Sequence, residues 1–167
     1  AIRLIKDHSL FAPVLFMVDV LLFSVDWLAT IRPRKRNSNK IAFIKLDKLG
    51  DYILIRNFFD HIRESEKFKG CHFTLIANNE IKNFAEYLDG EKWDNIIWVD
   101  IYKYSSNLFY RFKMSGKIYG EGFQTIIAPT YARVFVLDDL IALVSWAKNR
   151  IGQTAHLINM KKWERHV

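Results

Sequence analysis

The fold is decided by the stretch Lys40–Arg56, which reads KIAFIKLDKLGDYILIR. Its apolar beginning, Ile41–Ile44, has the composition of a buried strand. A short polar loop with a glycine, Asp47–Gly50, follows, and apolar residues recur with helical spacing from Asp51 onward. A strand that turns through glycine into a helix places free backbone N–H groups, and here a carboxylate, at the edge where open α/β sheets bind ligands.

Segments of strand type and of helical type alternate from this stretch to the end of the chain. The predicted strands are Ile41–Leu46, His72–Ala77, Asn95–Val99, Gln124–Ala128 and a fifth beginning at Arg150. The predicted helices are Asp51–Glu66, Asn79–Leu88, an aromatic-rich segment Ile101–Glu121 and Val134–Lys148. This alternation predicts an α/β fold, a Rossmann-like parallel sheet with flanking helices and right-handed crossovers, over residues 37–167.

A strongly apolar segment, Leu10–Ile31, precedes this domain and is nearly long enough to span a bilayer. Asp19 and Asp26 argue against spanning, because an Asp at the membrane centre costs roughly 2.5–3.5 kcal/mol. The two acids are seven residues apart and share one helix face, which predicts an amphipathic helix with a narrow acidic stripe. With the basic run Arg32–Arg36 (RPRKR), this helix forms the predicted N-terminal unit, residues 1–36.

This N-terminal unit has two interpretations, which the sequence pattern does not separate. A basic run beside an apolar helix attracts anionic lipid by about 1 kcal/mol per basic residue, which favours attachment to an anionic membrane surface. Alternatively, the helix packs on the chain's own domain and the basic run is a solvated linker.

Composition sets limits on the size of the protein and on its partners. The 167 residues, half of them hydrophobic, suffice for one compact domain but hardly for two. The net charge of +7 suggests an anionic partner without identifying it. The single cysteine, Cys71, excludes an internal disulfide. The five histidines show no metal-ligand spacing, so we expect no metal site.

The loop after the first strand holds the strongest candidates for chemistry. Gly50 would permit a sharp turn, and Asp51 would lie at or beside the N-cap of the next helix. An ionised carboxylate there is either a general base for a hydroxyl group or a simple helix cap. Lys45 and Lys48 flank the loop, as point charges for an acidic substrate group or as solvated side chains. The loop has neither GxGxxG nor GxxxxGK[ST], so no nucleotide cofactor is expected here.

The end of the fourth strand should open onto the same edge of the sheet. Thr130 offers a hydroxyl group and Arg133 a fork suited to carboxylate or phosphate, although an exposed arginine at a helix start is the alternative. Asp138 and Asp139 fall inside the following helix and are assigned to its solvent-exposed face rather than to a metal site. The aromatic residues between positions 102 and 123 lack a dense basic stripe and an RNA-binding signature, so we assign them to packing.

The sequence KIAFIKLDKLGDYIL resembles the opening strand, loop and helix of glycosyltransferase family 9, the lipopolysaccharide heptosyltransferase-like enzymes. That family has a hydrophobic strand, a basic residue, a short loop and Leu-Gly-Asp before an apolar helix. A looser second match is QTIIAPTYAR with VSWAKNRIG, which resembles the family's fourth-strand segment with its basic run and Ile-Gly. Together the two matches extend over about residues 40–152.

The resemblance implies one half of a GT-B fold, whose N-terminal domain binds the acceptor glycan or glycolipid and supplies the catalytic base. A C-terminal domain, for which this chain has no counterpart, would bind the nucleotide-sugar donor. By position, Asp51 matches the base, Lys45 the usual basic residue, and Arg133 lies in a loop near the acceptor. The N-terminal apolar helix and the basic linker suit a cytoplasmic enzyme, peripheral on the inner face of the cell membrane, that works on a lipid-linked acceptor.

Taken together, the catalytic candidate is Asp51 and the substrate-binding candidates are Lys45, Lys48, Gly50, Thr130 and Arg133. The chain is expected to be an incomplete, acceptor-side part of a transferase. A non-catalytic module that binds a glycan or a partner subunit is the first alternative. A basic nucleic-acid-binding domain is the second, and nucleic acid is not expected as the partner.

Overall fold

Five parallel strands form the centre of the molecule, in the order β3-β2-β1-β4-β5. The computed structural model describes residues 12–34, 39–130 and 134–152. The strands are β1 (Lys40–Lys45), β2 (His72–Asn78), β3 (Asn95–Val99), β4 (Thr125–Ala128) and β5 (Asn149–Gly152). The α-helices are α1 (Ala12–Ala29), α2 (Leu49–Glu64), α3 (Lys82–Asp89), α4 (Ile101–Ser106), α5 (Leu108–Gly120) and α6 (Leu140–Val144). The predicted α/β class and parallel sheet are therefore confirmed.

The central strand β1 is buried along almost its whole length, because it pairs on both sides and helices cover both faces of the sheet. Its Phe43 is in register with Leu75 of β2 and with Ile127 of β4. The strand β5, in contrast, is exposed at the sheet edge. Continuous apolar strands such as β1 need a helix layer on each side.

Each face of the sheet has its own apolar core. On one face, Phe43 and Trp93 pack with Tyr52 and Phe59 of α2, in edge-to-face ring contacts between Phe43, Phe59 and Trp93. On the other face the core contains side chains of the strands together with residues of α4, α5 and α6. The chain that leaves β1 therefore covers one face, and the chain that leaves β4 covers the other.

The N-terminal helix α1 forms an additional layer against α5 and α6. Its inward side buries Leu22, Asp26 and Ala29. The predicted acidic stripe therefore does not face solvent at Asp26, which pairs with the fully buried Arg111 of α5. Within the part of the chain that the structure covers, no helix is both long and apolar enough to cross a membrane.

Two helical predictions differ from the structure in their details. The aromatic segment forms two helices, because Asn107 ends α4 and its side chain accepts a hydrogen bond from Tyr110 N at the start of α5. The segment predicted as one helix, Val134–Lys148, begins with a π-helical turn (Phe135–Asp139) and continues as α6. That helix ends at Val144, and Trp146 adopts a positive φ of 48°, which no helix continues through.

Candidate functional site

The candidate site lies where β1 and β4 end side by side at the carboxyl edge of the sheet. From this edge, α2 packs on one face and the π-helical turn with α6 packs on the other. From β1 the chain first adds β2 and β3 on one side of the sheet and then adds β4 and β5 on the other side, so β1 and β4 form the switch point of the sheet. Open α/β sheets bind ligands at such a switch point, because the two diverging connections leave a crevice between them.

A polar network joins the two strand ends across this crevice. Lys45, the last residue of β1, forms an ion pair with Asp47, and only 4% of the Lys45 side chain is exposed. The hydroxyl group of Thr130, after β4, donates to the same Asp47 oxygen at 2.8 Å. Two chemically different donors thus converge on one carboxylate, so the loop after β1 is tied to the loop after β4.

Asp51 is exposed and is the third residue of α2. The N-cap position belongs to Lys48, whose side chain makes no capping hydrogen bond. Among the residues that the structure describes, none forms a hydrogen bond or an ion pair with the Asp51 carboxylate. Asp51 is therefore not the N-cap residue of α2, and its carboxylate lies exposed in the first turn of the helix.

Gly50 has an ordinary helical backbone, and a Cβ built on it would meet no atom within 4 Å. The expectation that the turn itself requires glycine here is therefore wrong. The first N–H groups of an α-helix have no partner within the helix, and the open space in front of this backbone leaves room for a ligand to approach them closely.

These groups surround an open groove of about 370 Å³. Its lining residues are Lys45, Asp47, Asp51, Leu54, Ile55, Pro129 and Thr130. Lys48 is exposed at the start of α2 and does not line this groove. Arg133 lies outside the described residues. The structure thus brings three of the candidate side chains, Lys45, Asp51 and Thr130, to one place.

Behind this edge lie two carboxyl groups whose burial the sequence analysis did not predict. Asp138 and Asp139 of the π-helical turn are buried, so their assignment to a solvent-exposed face is wrong. One Asp138 oxygen accepts a hydrogen bond from Val134 N at 2.9 Å, and the other has no partner within the described ranges. The apolar run on both sides of the acids, VFVLDDLIALV, was the available signal, since a helix that is apolar all round is buried.

Burial raises the pKa of Asp138 to about 7, because its charged form loses hydration. The backbone N–H of Val134 opposes this shift in pKa, while the carboxylates of Asp47 and Asp139 add to it. Asp138 is therefore electrostatically linked to the network at the switch point. Its carboxyl group can therefore gain or lose a proton near neutral pH.

In the described part of the chain, no group of three or more His, Cys, Asp or Glu side chains is arranged to hold a metal ion. Comparisons of the chain with protein-family models, with curated proteins and with solved structures find no match. The functional assignment therefore depends on the geometry of the switch point and on the Leu-Gly-Asp motif.

Proposed function

We propose that this chain is the acceptor-binding N-terminal domain of an inverting glycosyltransferase. The enzyme would move a heptose-like sugar from a nucleotide donor to a lipopolysaccharide or another cell-surface glycan. The observation that carries this proposal is the exposed carboxylate of Asp51, in the first turn of α2 at the switch point of the sheet, with no hydrogen-bond or ion-pair partner among the described residues. The resemblance of Leu49-Gly50-Asp51 to the motif of glycosyltransferase family 9 supports the choice of reaction.

In this mechanism Asp51 is the general base. The acceptor hydroxyl group gives its proton to the Asp51 carboxylate while its oxygen attacks the anomeric carbon of the donor sugar. The bond between that carbon and the diphosphate oxygen breaks, and its electron pair leaves with the nucleoside diphosphate. Attack from the face opposite the leaving group inverts the configuration. The N-terminus of α2 stabilises the ionised carboxylate before the proton arrives.

The remaining groups of the groove have positioning roles in this proposal. Thr130 and Lys45 hold Asp47, and thereby the loop that leads into α2 and to Asp51. Gly50 leaves open space in which the acceptor can lie against the helix N-terminus. Lys48 and Arg133 would contact acidic groups of the acceptor, and this assignment follows from the sequence alone.

The donor has no proposed site within this chain. In a GT-B arrangement the nucleotide sugar would be bound by a second α/β domain, with the transfer taking place in the cleft between the two domains. This half would then contribute the base and the acceptor site, and no cofactor or metal ion is part of the mechanism.

Calorimetric titration of the 167-residue chain tests this division of roles. We expect binding of a lipopolysaccharide core oligosaccharide and no binding of nucleotide-heptose at micromolar concentrations. Asp51→Leu should weaken binding of the oligosaccharide, whereas Glu64→Leu, at the exposed far end of the same helix, should not. Micromolar binding of the nucleotide sugar by the isolated chain would overturn the assignment of this domain to the acceptor side.

A further inference from the structure

The outward side of α1 exposes an unusual number of large apolar side chains. Met17 is 70% exposed, Ile31, just after the helix, is 61% exposed, and Trp27 is 53% exposed. Val14, Leu21 and Leu28 are also at least half exposed. Exposed apolar surface of this extent is typical of interaction sites rather than of ordinary surface.

A buried polar network fixes this orientation of the helix. Nε of Arg111 donates to Asp26 at 2.9 Å, and the hydroxyl group of Ser115 donates to the same Asp26 oxygen at 2.6 Å. The Arg111 side chain also stacks on the ring of Tyr104, 4.3 Å from its centre. Rotation of α1 would leave a buried guanidinium unpaired, which is strongly unfavourable. The charged side of the helix is therefore held inward and its apolar side outward.

Helix α5 extends the apolar surface beyond α1. Phe109 is 79% exposed and Phe112 is 41% exposed. Both rings line a groove of about 500 Å³ whose opposite wall includes Ala29 and Pro33, at the end of α1. We call the outward side of α1 together with Phe109 and Phe112 the apolar ridge.

Basic side chains line the grooves on the two sides of α1, and we call these side chains the basic flanks of the helix. The groove between α1 and α5 is lined by Arg32, Lys113 and Lys117. On the other flank, a groove of about 380 Å³ beside Trp27 is lined by Lys148 and Arg150. The only acid that lines either groove in the described structure is Asp26, which is buried and paired with Arg111.

The cations of this surface differ from those expected from the sequence. Arg34, part of the predicted basic linker, donates to the carbonyl oxygens of Tyr119 at 2.9 Å and Trp146 at 2.8 Å. It also stacks on the ring of Tyr119, 4.5 Å from its centre. Arg34 thus attaches the linker to the domain, and Lys35 and Arg36 lie outside the described residues.

We propose that the apolar ridge docks on an anionic phospholipid bilayer, with its basic flanks at the headgroups. An exposed apolar helix face between two cation-lined grooves matches the acyl region and the phosphates of such a surface. A second copy of the chain is a less suitable partner, because a two-fold contact would place the cations of one copy against the cations of the other. The chain's own ends match no better, since residues 153–167 contain three Lys or Arg and one acid, and residues 1–11 two Lys or Arg and one acid.

Co-sedimentation with vesicles tests the proposal without any measurement of sugar transfer. The chain should bind phosphatidylglycerol–phosphatidylcholine vesicles, bind pure phosphatidylcholine vesicles weakly, and lose binding as salt screens the flanks. Lys113→Gln with Lys117→Gln should weaken binding roughly thirtyfold. The matched control, Lys69→Gln with Lys82→Gln, removes the same charge from outside the two grooves and should have little effect.

A second pair of variants tests the apolar part of the surface. Phe109→Ser with Phe112→Ser should reduce binding strongly. The control Phe84→Ser with Tyr87→Ser, on α3, removes rings of similar exposure with the same spacing and should not. A folded chain that does not bind anionic vesicles would overturn the proposal, as would equal losses for the ridge and control pairs. A lipid-free dimer that the Phe109/Phe112 variant dissociates, with vesicle binding unchanged, would assign the ridge to a second copy instead.

Discussion

Replacing Asp26 by alanine should destabilise the protein far more than removal of an ordinary surface acid. Asp26 is 2% exposed, and its partner Arg111 is fully buried with two further hydrogen bonds to the carbonyl oxygens of Tyr104 and Val136. Burial raises the pKa of Asp26, an effect that its bonds to Arg111 oppose. The alanine leaves the Arg111 charge without its carboxylate in a dry environment.

The expected loss is about 3–5 kcal/mol of unfolding free energy, the usual cost of removing one partner from a buried ion pair. For a domain of this size the loss corresponds to a fall in Tm of roughly 6–20 °C. The double replacement Asp26→Leu with Arg111→Met should recover most of it, because a buried pair and a well-packed apolar pair are often of similar stability.

Urea unfolding followed by circular dichroism gives the free energies. The control is Glu121→Ala, which breaks the more exposed pair with Lys40 and should cost less than about 1 kcal/mol. If Asp26→Ala costs no more than Glu121→Ala, the carboxylate is not buried against Arg111. The pair of Asp26 with Arg111 would then not fix the orientation of α1.

Two further predictions concern the sheet edge. The pKa of Asp138, about 7 in the folded protein against 3.8 as its usual value, means that the folded state holds an extra proton between these pH values. Unfolding free energy should therefore fall as pH rises through this window, and Asp138→Asn should abolish that fall in urea titrations at several pH values; an unchanged pH profile would contradict the assignment. Gly50→Ala should leave stability unchanged or raise it by up to about 1 kcal/mol, since a Cβ has open space there, while sugar transfer by a protein that also carries the proposed donor-binding domain should decrease. A variant that is destabilised, or equally active, would count against an acceptor lying at this backbone.

The sequence predicted the sheet well, because its strands are buried apolar runs between polar loops. The strand Asn95–Val99 has the same bounds in the structure as in the prediction. The position of Asp51 at the carboxyl edge followed from the strand–loop–helix pattern alone, and Thr130 was placed at the same edge by the order of the elements. Whether these residues act on a substrate stays a prediction.

The spacing of apolar residues predicted side-chain burial less well where the burial depends on a partner far away in the sequence. The helical spacing of apolar residues in α2 does not distinguish Phe58, which is 44% exposed, from Tyr52, which is fully buried. The Tyr52 hydroxyl group donates to Asp89 at 3.0 Å, a partner 37 positions later in the chain. Asp26 likewise finds Arg111 85 positions later. No local pattern reveals such pairs, because each polar group is compatible with burial only once the other is in place.

The proposal that Asp51 is the base of a sugar transfer is tested by the turnover of Asp51→Asn in a protein that carries this domain together with the proposed donor-binding domain. The amide keeps the size of the side chain but cannot accept the proton. We expect kcat to fall by a factor of about 10²–10⁴, with unchanged urea unfolding. Glu64→Gln, on the same helix, should keep normal turnover. A folded Asp51→Asn protein with near-normal kcat would contradict the account.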